Sequence, residues 1–390
     1  MHFSFSTIYT AVLSSNVLLI LAAVFLQNKS LLFKTGYKCL GIFLSLAAIR
    51  LVFPFEFPFT RNIYLPEGIS YVIASFHGPL FSIADFKITP LILLCVVWIG
   101  GVVYQLFRFI REFILMDRYI LYNGRDITTD PACLSVLSRI PKLAGRHVSF
   151  RIFRLKGISS PMLYDMIAPR ILLPDDMNFS DQELYFILSH EISHYVHRDL
   201  LLKYAIRLIT ILYWWNPACH FLKRQTELLC EIRIDGELAA SGPAAAGAYM
   251  KCLLDVAESA VKKAPLPSSM YIGFKPQNAV NLKKRFEWII SGKHPRRSVQ
   301  FGLTVFIFLF FAFSYLYILE GSIPLPEPAE ENGVLFQDDI YNYIIQNEFG
   351  TYDIYYHGMY TETIDSLFGY EDAVIYHSKE EVPHETNNQP

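Results

Sequence analysis

Charge is scarce in this chain: Lys, Arg, Asp and Glu together make up 18% of its 390 residues, against 53% hydrophobic ones. Soluble domains carry about 25% charged residues, so this deficit argues against an ordinary soluble protein. Paired cysteines are also missing. Cys39, Cys95, Cys133, Cys219, Cys230 and Cys252 are scattered, form no C-x-x-C pair and leave residues 320–390 without any, which argues against both a disulfide scaffold and a thiolate zinc cluster. Basic residues are nearly absent from that last stretch, where residues 321–390 hold fourteen Asp or Glu against the single Lys379. Such a segment repels phosphate backbones, and no direct nucleic-acid binding is expected. There is no internal repeat.

What is present is apolar. Four runs, Ile8 to Leu26, Cys39 to Phe55, Pro90 to Phe107 and Val299 to Leu319, each approach the roughly 20 residues a helix needs to cross the hydrocarbon of a bilayer. Only the second contains a charge, Arg50, near enough to its end for the guanidinium to snorkel toward headgroups. The first run lacks a basic flank before it and a small-residue cleavage site after it, so it reads as a retained helix rather than a signal peptide. Basic residues resist translocation and set the orientation. The first short loop carries Lys29, Lys34 and Lys38 with no acid, whereas residues 56–87 carry two basic and three acidic residues. Arg108 and Arg111 follow the third run, and Lys293, Arg296 and Arg297 precede the fourth. The reading is a mainly α, polytopic protein of the cell membrane, with four transmembrane helices (8–26, 39–55, 90–107, 299–319). Residues 1–110 hold the first three, 111–298 form a cytosolic domain, and 320–390 form an acidic extracytoplasmic tail or small module. The N-terminus lies outside, and the lipid bilayer is the first partner.

Within the cytosolic segment, residues 117–174 read as short strands and turns, with alternation over His147 to Phe153 and a further strand from Ala168 to Leu173. Ser180 and Glu183 have the spacing of a capping box and predict a helix from Asp181 through His194. Leu200 to Trp215 reads as a buried or membrane-apposed helix stopped by Asn216-Pro217. Helices are expected over 218–240 and from the end of a small-residue linker, 241–247, to about Lys263. A Pro-containing loop over 264–281 and a basic helix over 280–290 follow. The tail opens with a Pro-rich stalk at 323–328 and continues into a Tyr-rich stretch, and its last dozen residues look disordered.

One motif carries chemistry. His190-Glu191-Ile192-Ser193-His194 is H-E-x-x-H, and on a helix residues four apart share a face, so two imidazoles can bind one metal ion. Glu191 points about a quarter-turn away and can act as general base on the attacking water without occupying the metal. A catalytic zinc needs a third protein ligand and an open position. His197 is close in direction but stretches three ligands along one helix, and the extended pattern with Gly at 197 and His at 200 is absent. An acid from a second helix remains: Glu227, Glu231 and Asp235 form one stripe at intervals of four. Cys230 between them reads as core. Asp199 can either cap the end of the motif helix or orient a ligand histidine from behind.

The stretch Glu227-Leu228-Leu229-Cys230-Glu231, together with H-E-x-x-H, Asn216-Pro217, the Ser160-Pro161 to Pro174 region and Leu282-Lys283-Lys284-Arg285-Phe286, resembles the antirepressor membrane metallopeptidases of the β-lactam sensor-transducer type. The resemblance covers roughly residues 1–320. It implies a cytosolic gluzincin-like α+β zinc protease domain between the third and fourth membrane helices, one Zn²⁺, Glu191 as catalytic base, and His190, His194 and Glu227 as metal ligands. Glu231, at a position where that family usually has Asp, and Asp199 fall behind the ligands. Residues 320–390 contain no S-x-x-K nucleophile of a penicillin-binding sensor.

The implied function is that of a signal-transducing zinc endopeptidase acting on itself or on a cytosolic transcriptional repressor. A quality-control or maturation protease for membrane proteins is the alternative within the same chemistry. A non-catalytic receptor with a structural metal site is the alternative outside it, although such a site has no use for Glu191. The Lys284 and Arg285 pair reads as a solvated or lipid-facing patch rather than a self-cleavage site, and the 168–173 strand either as one that could take substrate backbone by β-addition or as an ordinary sheet strand.

Overall fold

The computed structural model describes residues 5–27, 29–55, 57–76, 80–83, 86–141, 149–240, 242–262, 279–291, 296–320, 343–347, 350–356, 359–365, 367, 374–378 and 381–382. Helices dominate. The chain opens with α1 (Phe5–Gln27) and α2 (Lys29–Val52), followed by β1 (Arg61–Tyr64), α3 (Glu67–Ser75), the hairpin of β2 (Phe81–Ile83) and β3 (Phe86–Ile88), and α4 (Pro90–Asn123). Next come β4 (Arg125–Asp126), α5 (Pro131–Ser138), β5 (Arg151–Leu155), β6 (Met162–Tyr164) and β7 (Arg170–Pro174). The helices α6 (Asp181–Val196), α7 (Asp199–Leu212), α8 (Pro217–Ala239), α9 (Pro243–Lys262), α10 (Ala279–Ser291) and α11 (Arg297–Leu316) then run in succession. The last strands are β8 (Tyr317–Glu320), β9 (Tyr343–Gln346), β10 (Tyr352–Tyr356), β11 (Met359–Ile364) and β12 (Ile375–Tyr376).

Contacts divide the chain into two compact units: Met1–Leu13, Pro54–Gly100 and Phe310–Pro390 in one, Ser14–Phe53 and Gly101–Leu309 in the other. In the first, β1 pairs in parallel with β8, and the tail strands form a sheet in the order β11-β10-β9-β12. The period of two along β9 explains that sheet: Ile344 packs with Ile354 on one face, while Tyr343 and Ile345 pack with Tyr355 and Val382 on the other. The tail therefore contains a folded module. The expected stalk at 323–328 and residues 383–390 lie outside the described residues.

In the second unit a four-stranded sheet runs β4-β5-β7-β6, with β5 parallel to β7 and the other pairs antiparallel. Both of its faces are apolar. Ile152, Leu163, Ile171 and Leu173 pack against Leu184, Ile187, Leu188 and Ile192 of α6 and against α5 and α9. Phe153, Leu155, Met162, Tyr164 and Leu172 face Met116 and Ile120 of α4. This sandwich holds α6 rigidly along the sheet, which is what the motif helix requires. The expected capping box is formed: Ser180 Oγ accepts from the Glu183 amide, and the Ser180 amide donates to Glu183 Oε2 at 2.8 Å.

Among the described residues, three helices are long and apolar enough to cross a membrane by length and composition: Ser6–Gln27, Pro90–Asn123 and Arg297–Leu316. They correspond to the first, third and fourth predicted runs. The second run lies in α2, which is broken at Gly36, where φ is 74° and only glycine is at ease. Residues 29–38, expected as a loop, are mostly helical. Arg50 does not snorkel; it is fully buried, and its Nη1 donates to the Phe53 carbonyl at 3.2 Å. Two further expectations change. Residues 117–123, read as the start of a strand region, continue α4, and 131–138 form α5. Most of the 241–247 linker is the first turn of α9, whose Pro243 suits a helix start. Most of the expected 264–281 loop lies outside the described residues.

Candidate metal centre

His190 and His194 lie in the most buried stretch of α6, at 8% and 6% exposure. α8, entered through the Asn216 cap and Pro217, packs against both α6 and α7. It brings the Glu231 carboxylate to both imidazoles: Oε2 lies 3.3 Å from His190 Nε2, and Oε1 lies 3.4 Å from His194 Nε2. His190, His194 and Glu231 form the single group of three or more potential metal-binding side chains among the described residues, with ligand atoms within 4.8 Å of one another.

The acid is not the one the resemblance implied. Glu227 lines the same cavity but stands beside Lys223, with a carboxylate oxygen 3.9 Å from its Nζ. Burial raises the Glu227 pKa. The structure thus gives Glu231, expected behind the ligands, the place expected for Glu227. The physical reason is axial position, since one step of four residues moves about 6 Å along a helix. The level at which α8 crosses α6 then selects among the three acids of the stripe.

The arrangement fits a zinc ion. Two imidazoles and a carboxylate are an ordinary zinc donor set, and one ligand atom from each of the three residues lies within 4.8 Å of the others. Each histidine is also held from behind, leaving Nε2 toward the carboxylate. His190 Nδ1 lies 2.8 Å from Tyr249 Oη, and His194 Nδ1 lies 2.8 Å from Asp199 Oδ2. Burial opposes ionisation of Glu231, yet His194, Arg285 and the hydrogen bonds from both imidazoles hold its carboxyl well below the usual range. Lys203 stays protonated despite burial because Glu231 Oε1 is 3.7 Å from its Nζ.

Asp199 is itself buried and accepts from Arg233 as well. Burial acts to raise its carboxyl, but the His194 and Arg233 hydrogen bonds prevail and lower it. Glu191 is buried and lines a cavity of about 980 Å³ together with His190, His194, Lys203 and Glu231. His197, the rival ligand, is turned away at the end of α6, its Nε2 2.8 Å from Glu237. Cys230 is buried core, as read.

One sequence reading fails here and one open alternative is resolved. Arg285 is not a solvated or lipid-facing residue; it is 1% exposed and clamps Asp235 through Nε and Nη2 at 2.5 and 2.6 Å. The 168–173 strand, β7, is paired on both sides, with β5 and β6, so its backbone is not open for β-addition. The sheet edge at the cavity is β6, whose Met162 and Leu163 line it along with Ser160 and Pro161. Tyr249 escaped the sequence reading altogether. It lies 59 positions from His190, with no local pattern to mark it.

Two imidazoles on one helix and a carboxylate from a second, each with its orienting partner, define a centre of the metallopeptidase type. Residues 81–289 match the family model described as BlaR1 peptidase M56, and the chain belongs to that family. It is 29% identical over 140 residues to the regulatory protein BlaR1 of Bacillus licheniformis, covering 36% of this chain and 23% of that one. It is 27% identical over 147 residues to the methicillin resistance mecR1 proteins of Staphylococcus aureus and Staphylococcus epidermidis, covering 37% of this chain and 24% of each. The match spans under a quarter of the length of these curated relatives.

Proposed function

We propose that this chain is a membrane-embedded zinc endopeptidase that transmits a signal by cleaving itself or a cytosolic repressor protein. The observation that carries the reading is the convergence of His190, His194 and Glu231 in the cavity that also holds Glu191. The peptidase family and the names of the relatives, one a regulatory protein and the others methicillin resistance proteins, support it.

His190, His194 and Glu231 would hold the zinc, and Asp199 and Tyr249 would keep the two imidazoles in register. A zinc ion bound there supplies a Lewis acid that polarises the peptide carbonyl and acidifies the attacking water. Glu191 takes the proton of that water and returns it to the leaving amine. Lys203, on the cavity wall, offers fixed positive charge to the oxygen that becomes negative. A substrate segment in extended form adds to the open edge of β6, which sets its backbone across the cavity.

α1, α4 and α11, with the apolar half of α2 after Gly36, are the four membrane crossings in this reading. The distribution of basic residues puts the peptidase unit in the cytosol and the acidic module outside. The full chain in detergent or membranes is expected to bind one zinc and to process itself or a co-expressed repressor substrate. Glu191→Gln is expected to keep the zinc and lose the cleavage. Absence of stoichiometric zinc, or undiminished processing by Glu191→Gln, overturns the proposal.

A further inference from the structure

Arg285, on α10, lies at the meeting point of two chains of contacts. Its Nε and Nη2 clamp both oxygens of Asp235, and its Nη1 stands 3.3 Å from Glu231 Oε2. Asp235 Oδ1 also accepts from Tyr249 Oη at 2.7 Å, and Tyr249 reaches His190 Nδ1. One guanidinium therefore holds the ligand acid directly and one ligand imidazole through Asp235 and Tyr249. These groups are almost shut off from solvent, with Arg285, Asp235 and Tyr249 each at 1% exposure or less. Fully buried Asp235 and half-buried Glu231 are neighbours one turn apart on α8, and two carboxylates withdrawn from water at that spacing repel unless a cation stands between them. A planar fork can serve both, whereas a lysine ammonium is a single point charge.

We propose that Arg285 is the positioning residue of the metal centre, setting the Glu231 carboxylate and the His190 ring together, so that docking of α10 on α8 and binding of zinc stabilise each other. The proposal rests on His190, His194 and Glu231 being the ligand set. Its thermodynamic content is reciprocal: if α10 docking raises zinc affinity, zinc must tighten α10 by the same factor. Lys203 on α7 also approaches Glu231, with Nζ 3.7 Å from Oε1, and the His190 ring contacts Glu231 and Asp235 through Nε2 and Nδ1.

The test uses the full chain in detergent micelles, with zinc affinity measured against a competing chelator. Alongside it run the visible spectrum of the cobalt-substituted protein and backbone hydrogen exchange of α10 with and without zinc. Arg285→Ala and Arg285→Lys are expected to weaken zinc binding by about 10- to 100-fold and to alter the cobalt spectrum, and Tyr249→Phe to weaken binding about 10-fold. Lys283→Ala, at an exposed position two residues before Arg285 on α10, should change nothing. Zinc should slow exchange of α10 in the wild type and not in Arg285→Lys. Because Arg285→Ala removes a buried cation and can fail to fold, Arg285→Lys and Tyr249→Phe carry the test in that event. Zinc affinity of Arg285→Lys within about twofold of wild type, with an unchanged cobalt spectrum, overturns the proposal, as does α10 exchange indifferent to zinc. Wild type that binds no zinc overturns the ligand set instead, so the two failures are separable.

Discussion

Asp199 and His194 lie five residues apart across the end of α6 and are joined by a 2.8 Å contact between Oδ2 and Nδ1. The chain manages this by placing Arg198 in the left-handed region, φ 57°, so that α7 starts at Asp199 with its carboxylate turned back toward the imidazole. A carboxylate behind a ligand histidine fixes its tautomer and raises its basicity. Asp199→Ala should therefore weaken zinc binding by about 10- to 100-fold, measured by chelator competition. Asp199→Asn should fall between it and wild type, because the amide oxygen still accepts but carries no charge.

Glu231 and Glu227 make opposite predictions from neighbouring turns of α8. Glu231→Ala removes the carboxylate that faces both Nε2 atoms and should yield protein without stoichiometric zinc. Glu227→Ala loses a contact with Lys223 and should purify with its zinc. Metal analysis of the two variants side by side decides the order, and a reversed result would return the ligand role to Glu227.

Removing the metal should cost stability. A ligand that binds only the folded protein, at a hundred times its dissociation constant, contributes about 2.7 kcal/mol. Thermal unfolding in detergent should shift down on chelation and recover when zinc is returned. Glu231→Ala should show no shift with chelator.

The sheet-facing side of α6 holds the motif in place, and Leu188, with 0% exposure, lies at the centre of that packing. Leu188→Ala should cost about 2–5 kcal/mol, the range for a large-to-small change in a close-packed core. The thermal midpoint reads it. Ser180→Ala, which removes the cap, should cost only about 1 kcal/mol.

Much of this is legible in the sequence. The capping box at Ser180 and Glu183 announces α6, and Asn216-Pro217 marks the stop between α7 and α8, because both signals are local and their hydrogen bonds close within three residues. The apolar runs over α1, α4 and α11 were equally plain. Less local features were misread. Arg50 and Arg285 were judged by their character as isolated charged side chains, and each proved buried among partners that no nearby sequence marks. Whether β7 pairs with substrate or only within its sheet stays open in the sequence, because strand order is not local, and the sheet order shows both its edges taken.

The sequence by itself determined that His190, Glu191 and His194 share one capped helix, and that long apolar segments lie on either side of it. Spacing on a single helix is set by the geometry of that helix alone. Only the tertiary structure decided which acid completes the centre and which side chains hold it from behind. That choice depends on where α8 crosses α6 and on α9 and α10 docking against it. Such crossings arise from the packing of whole helix faces, and no short stretch of sequence contains them.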